Sequence, residues 1–432
     1  MANLSLKYEK SVFFVGIISL IILPNHDIFN WFFAGTLLII WKQLLAVTLG
    51  ILSINLLCDA RTVKNRGTKH IRSILFVLAF TIFISVILSL IQGLSSIRVM
   101  YAVLAYIGMF GGTSFAVATM SLGRTLLVLR IVSILGIISM TGLIIDYYTE
   151  WFDFLPRSGD IGLEEQILKG YLRRACFLFG ASTTIFPFIS FSILSSSILY
   201  LRHYARTDKN YFITQLFLAP IALFFTASRA QFLLLGLFMA LVLLIISKKF
   251  FKIQIVIVLF ITLLLSLFGA SMLTNETTQT SELTERYKYS LNSDQEGNDT
   301  RYQSWQDGIE LFSDYSLQSL IGIGLGSSMG MINDEKESTR HYESSFFQAY
   351  SEAGYLGLIL RYYPGLIALT FLLKYHCNTR HQMIKRIFIA WFVLYFASIS
   401  TSPTASAYHT QFIYFIAVAF AIKIRLFCYT VD

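Results

Sequence analysis

Long apolar stretches recur along the whole chain, separated by short polar connectors, and this decides the solvent in which it folds. A spanning helix needs about 20 apolar residues. Stretches of this kind are read near 11–24, 35–58, 73–92, 99–120, 131–148, 175–200, 211–226, 229–247, 251–273, 344–373, 387–402 and 408–422. Of the 432 residues only 14% are charged and 55% are hydrophobic, with a mean hydropathy of +0.64. A soluble domain carries roughly 25% charged residues. Lipid therefore absorbs the apolar surface. The expected fold is an all-α polytopic inner-membrane protein of about 12 transmembrane helices, a single integral membrane domain over 1–432.

Loop charges set the orientation, because basic residues collect in cytoplasmic loops. Segment 59–72 carries Arg61, Lys64, Arg66, Lys69 and Arg72 against Asp59. Segments 201–210, 248–252 and 374–386 add Arg202, Arg206, Lys209, Lys248, Lys249, Lys252, Lys374, Arg380, Lys385 and Arg386. All fall on one side if the N-terminus is cytoplasmic, and an even number of spans returns Lys423 and Arg425 to that side. The net charge of +9 thus reflects topology, and no nucleic-acid partner is expected. The first apolar run follows Lys7 and Lys10 without a small-residue cleavage site, so it reads as a retained signal anchor. Residues 25–34, with Asn25, His26 and Trp31, read as interfacial, and Lys42 interrupts the second span.

The opposite face holds a smaller loop, 149–174, and a larger one, 274–343. In the larger loop acidic residues outnumber basic ones more than two to one. Of Cys58, Cys176, Cys377 and Cys428, only Cys176 approaches this oxidising side, so no intramolecular disulfide is expected.

Several polar residues sit where apolar ones are the rule. Arg229 lies in Thr226-Ala227-Ser228-Arg229 between two spans. Thr226 or Ser228 can cap the second helix and place Arg229 in its first turn. Free N–H groups, the helix dipole and a guanidinium then converge, which suits a phosphate or pyrophosphate; the alternative is an Arg snorkelling to the interface. Arg301 follows Thr300, and Thr300 and Gln303 have capping-box spacing. A helix from here sets Arg301, Trp305 and Phe312 on one side, lying on the membrane surface; the alternative is a loop helix with a solvated Arg. Gly322-Ile323-Gly324-Leu325-Gly326 lacks a βαβ context and reads as a turn re-entering the membrane surface.

Ser338 and Thr339 are plausible caps for the tenth span. From there His341, Ser345, Gln348 and Glu352 form an i, i+4, i+7, i+11 stripe running into an apolar helix. An intramembrane carboxylate is costly and usually functional. His341 titrates near neutrality and can act as a base, or it can be a hydrogen-bonded structural residue. Glu343 is a rival base if the helix starts after it. Arg361 falls deep in the same span and must face protein.

These residues, in this order, resemble the O-antigen ligase and O-antigen polymerase family of bacterial membrane glycosyltransferases. The resemblance rests on Thr226-Ala227-Ser228-Arg229, Arg301 and Trp305 in a large loop, the Gly322–Gly326 run, and His341 followed by Glu352-Ala353-Gly354-Tyr355-Leu356-Gly357. It implies a GT-C-like fold, an undecaprenyl-diphosphate-linked glycan as donor, and metal-independent transfer at the periplasmic face. Arg229 and Arg301 would bind the donor diphosphate, and His341 would activate or orient the acceptor hydroxyl. Trp305, Glu343 and Glu352 complete the expected substrate site. In ligases the His is usually followed by Asn, whereas Tyr342 and Glu343 follow here; this departure tilts the expectation toward an O-antigen, capsular or exopolysaccharide polymerase. The alternatives are a ligase to lipid A core and, from another class, a flippase for the lipid-linked glycan. Expected partners are the lipid-linked donor, an acceptor glycan or lipid A core, membrane lipids, a chain-length regulator and a flippase.

Overall fold

The structure, a computed structural model, describes residues 2–22, 26–33, 66–91, 121–149, 175–179, 185–202, 206–226, 228–250, 317–322, 324, 344–374, 379–401 and 408–424, with isolated positions elsewhere. Every element with described bounds is a helix. In chain order these are α1 (Ala2–Ile22), α2 (His26–Phe32), α3 (Arg66–Ile91), α4 (Leu122–Tyr148), α5 (Ile185–Arg202), α6 (Arg206–Phe225), α7 (Arg229–Phe250), α8 (Leu317–Ile321), α9 (Ser345–Lys374), α10 (Thr379–Thr401) and α11 (Tyr408–Ile422).

Three of these are long and apolar enough to cross a membrane, within α4, α5 and α10; α9 makes a fourth if its two bent stretches count as one span. Shorter apolar runs at Ala79–Ile91, Ala230–Ile246 and Thr410–Ile422 coincide with expected spans. The chain is a membrane protein. About twelve spans were expected from segment lengths; those at 35–58, 99–120 and 251–273 lie wholly or almost wholly outside the described residues. One boundary is corrected. The span expected from residue 175 begins at Ile185, because 175–179 forms a turn rather than a helix.

The bundle is built around α5, which packs against α4, α6, α7, α10 and α11. It is buried at every position from Ile185 to Leu201. Its serines are satisfied in two ways. Ser195 and Ser197 donate to the carbonyls of Phe191 and Ile193 on their own helix. Ser192 and Ser196 join a network across three helices. Gln215 of α6 donates to the Ser133 carbonyl of α4 at 2.7 Å and to Ser192 Oγ at 2.8 Å, and accepts from Ser196 Oγ at 2.8 Å. Lipid tails are as apolar as leucine, so such bonds and close packing supply what the hydrophobic effect cannot. Gly136 makes the approach possible, since a Cβ there would overlap Ser192 Oγ.

α4 and α6 run parallel. Near their N-termini Arg130 makes a two-pronged ion pair with buried Asp208, Nε to Oδ1 at 2.9 Å and Nη2 to Oδ2 at 3.0 Å. At their C-termini Tyr147 stacks on Phe225 at 4.3 Å, and Tyr148 meets the same ring edge-on at 5.1 Å. α10 is tied to α5 by Trp391, whose Nε1 donates to Ser190 Oγ at 3.1 Å.

Candidate functional site

The junction of α6 and α7 is the first element of the site. α6 ends at Phe225 and α7 begins at Arg229, so two apolar helices are joined by a turn of three residues. Thr226 Oγ1 donates to the Leu223 carbonyl at 2.7 Å and accepts from Ser228 N at 3.4 Å. The Ser228 carbonyl accepts the first bond of α7, from Phe232 N at 2.9 Å, which makes Ser228 the N-cap residue. Arg229 therefore occupies the first turn of α7, as expected, where the first N–H groups of a helix have no partner within it. Its side chain lies outside the described part of the structure.

A carboxylate fixes this turn from behind. Asp146, fully buried near the end of α4, accepts from Cys176 N and Phe177 N through Oδ2, both at 2.8 Å. Ala175 N donates to the Phe225 carbonyl at 3.0 Å. Gln231, in the first turn of α7, accepts from Phe186 N at 3.3 Å. Phe177 adopts a positive φ of 47°, costly for a residue with a side chain. Gly142 leaves room for its ring, which a Cβ there would strike.

The second element is a crossing of two backbones. α9 is interrupted at Ala353 (φ −141°, ψ 17°) and Gly354 (φ 61°, ψ −158°). Its two arms fold toward each other: Phe346 meets Tyr362 at 5.9 Å, Tyr350 meets Tyr355 at 5.0 Å, and Ala349, Tyr350 and Leu358 share a small core. Over the longer stretches 345–358 and 361–374 the bend is 55°. Into this bend passes the strand of chain following α8. Gly324 N donates to the Glu352 carbonyl at 3.0 Å. Gly322 and Gly324 have φ of 83° and 121°. A Cβ on Gly354 would lie 2.5 Å from Leu320 C and O, one on Gly322 would strike Ala353 N, and one on Gly324 would lie 2.7 Å from Ser89 Oγ of α3. Gly322 and Gly324 of the expected glycine-rich run thus lie against α9 and α3, where a Cβ on either would clash.

The polar stripe of α9 is present in part. Ser345, Gln348 and Glu352 are all buried, and Gln348 Oε1 has no hydrogen-bond partner among the described residues. The helix start is corrected. Ser344, rather than Ser338 or Thr339, precedes the first turn, its carbonyl accepting from Gln348 N at 3.0 Å and its Oγ from Phe346 N at 3.2 Å. Glu343 therefore precedes the helix, the condition under which it could share a site with His341. Arg361 is buried, facing protein as expected.

Arg301, Trp305, His341 and Glu343 lie outside the described residues. Gln306 and Glu310 are isolated described positions in this loop, both helical and exposed. Among the described residues no group of three or more His, Cys, Asp or Glu could hold a metal ion. The turn and the crossing are connected through the core: Phe186 bonds Gln231, Trp391 bonds Ser190, and Phe396 packs on Tyr362 at 5.7 Å. Sequence reasoning missed Asp146 and the pairing of the two glycine motifs. A lone carboxylate inside an apolar span was the available signal for Asp146.

A family model described as O-antigen ligase matches residues 215–362, less than half of the chain. The matched segment begins at Gln215 in α6 and ends at Tyr362 in α9. It contains the α6–α7 turn, the glycine crossing and the positions of Arg229, Arg301, Trp305, His341, Glu343 and Glu352. None of the curated proteins matches the chain.

Proposed function

We propose, from the O-antigen ligase/polymerase membership that the match over residues 215–362 supports, that this protein is a membrane glycosyltransferase polymerising O-antigen, or a capsular or exopolysaccharide, at the periplasmic face of the inner membrane. The donor is a glycan on undecaprenyl diphosphate and the acceptor is a sugar hydroxyl of a second lipid-linked glycan. The acceptor oxygen attacks the anomeric carbon and the bond from that carbon to the diphosphate oxygen breaks. The electron pair leaves on the diphosphate, whose growing charge Arg229 and Arg301 neutralise. The acceptor proton goes to His341, with Glu343 as the rival base.

Two guanidinium groups positioned where charge develops do this without a metal. A base at the acceptor hydroxyl contributes about 10²–10⁴-fold. Both lipid tails already lie in the bilayer, so the protein chiefly aligns the reacting ends. Trp305 and Glu352 line the substrate path.

The observation that carries this reading is the containment of every one of these positions in the matched segment. The helix start at Arg229 supports the diphosphate role, since a helix N-terminus favours an anion. Ligation to lipid A core is the second reading, favoured by the description of the matching family; Tyr342 and Glu343 after His341 favour the polymerase.

Deletion of the gene followed by electrophoresis of surface glycans separates the two. Loss of a polymerase leaves cores carrying a single repeat unit, whereas loss of a ligase leaves bare cores and accumulated lipid-linked polymer. Purified protein in detergent, given lipid-linked repeat units with lipid A core, lengthens the units if it is a polymerase and transfers them to the core if it is a ligase; a flippase would leave them unchanged.

A further inference from the structure

Asp146 is fully buried, and its Oδ2 accepts from Cys176 N and Phe177 N at 2.8 Å each. The segment it holds is attached to the α6–α7 turn by Ala175 N, which donates to the Phe225 carbonyl at 3.0 Å. Tyr147, the next residue of α4, stacks on the Phe225 ring at 4.3 Å. Phe225 is thus held at its carbonyl and at its ring, four positions before Arg229. Without the carboxylate two buried N–H groups lose their acceptor, and leaving such groups unmet drives the backbone to rearrange. Phe177, already at φ 47°, would relax first.

We propose that Asp146 is a positioning residue for the donor site: it locks residues 175–177 against the end of α6 and thereby sets where the α7 N-terminus and Arg229 meet the donor diphosphate. This rests on the reading of Arg229 as the diphosphate ligand. A shift of about 1 Å in a binding group can cost roughly 10²-fold in rate.

Cys176 provides an independent reporter, because its buried thiol sits in the locked turn. The test uses full-length protein with Cys58, Cys377 and Cys428 replaced by serine, comparing Asp146→Leu with Asp146→Asn. Asparagine keeps a carbonyl oxygen that accepts both N–H bonds; leucine keeps only the volume. Each variant is quantified in the membrane before assay.

The expected result has three parts. Asp146→Leu loses about tenfold or more in transfer, with the KM for donor or kcat affected and the KM for acceptor unchanged. Its Cys176 reacts with a membrane-impermeant maleimide, which spares the parent. Asp146→Asn restores both transfer and protection.

The proposal is overturned if Asp146→Leu keeps parental transfer with Cys176 protected. It is equally overturned if Asp146→Asn is as inactive as Asp146→Leu while Cys176 stays protected, since the charge would then act on substrate directly. The underlying reading fails separately: Arg229→Ala with normal transfer removes the diphosphate role whatever Cys176 does.

Discussion

Arg229 and Gln215 are polar residues in apolar surroundings that answer to different demands. Gln215 is structural, with both ends of its amide engaged by Ser133, Ser192 and Ser196. Gln215→Leu keeps the shape and removes three bonds, so the purified protein should lose about 1–2 kcal/mol of stability, read as a lower midpoint of thermal unfolding in detergent, with transfer per folded molecule unchanged. Arg229 begins a helix beside a turn, the place where an anion is favoured. Arg229→Ala should abolish glycan assembly while the protein still inserts. Arg229→Lys should also be poor, because lysine brings a point charge where a planar fork spans two oxygens; surface-glycan gels of the complemented deletion strain check both. The sequence made Arg229 conspicuous, since a guanidinium on the external side runs against the charge rule. Asp146 was as unusual but was hidden near the end of an expected span, and only the folded chain shows that it accepts from backbone groups of residues 30 and 31 positions later.

At the scale of elements, helix interiors were readable from length and apolarity, and breaks were not. The interruption at Ala353–Gly354 sits inside one continuous apolar run, so hydropathy sees a single span. Its cause is long-range: the chain after α8 passes through the gap, and Gly322, Gly324 and Gly354 exist where two backbones touch. The glycine run and the later glycine were legible as motifs, but their contact was not, since nothing local couples residues 322 and 354. Gly354→Ala is the sharpest test. Its φ of 61° and ψ of −158° are essentially reserved for glycine, at a cost on the order of 1–3 kcal/mol for other residues, and the added methyl would collide with Leu320 and Ile321. Transfer should fall roughly tenfold or more, while Gly236→Ala in α7, where an added Cβ meets nothing within 4 Å, should lose less. Parity between the two variants in a detergent transfer assay would remove the crossing from the site.

For the whole molecule, sidedness is the claim with the widest consequences. Parallel packing of α4 and α6, with Arg130 and Asp208 at one end and Tyr147, Tyr148 and Phe225 at the other, gives both helices one direction across the membrane; the proposed orientation, which rests on loop charge alone, puts Arg202 and Arg206 inside and the α6–α7 turn outside. Single cysteines at Trp151 and Ser228 should react with an impermeant maleimide in intact cells permeabilised only at the outer membrane. A cysteine at Thr379 should react only after lysis. The reverse pattern would place the candidate site in the cytosol and sink the lipid-linked donor.

The enclosure of α5 sets an order on assembly. Two of the helices that wrap it, α10 and α11, follow all the other described elements in the chain, so a ribosome making this protein synthesises those others before they exist. Until then α5 must wait in the bilayer with a flank uncovered and a row of serines in hydrocarbon. Hydroxyls folded back onto their own helix, as in Ser195 and Ser197, make that interval tolerable, because they need no neighbour to be satisfied. A nascent chain halted before residue 379 would hold its future centre on its outside, a form that membrane quality control should recognise and degrade.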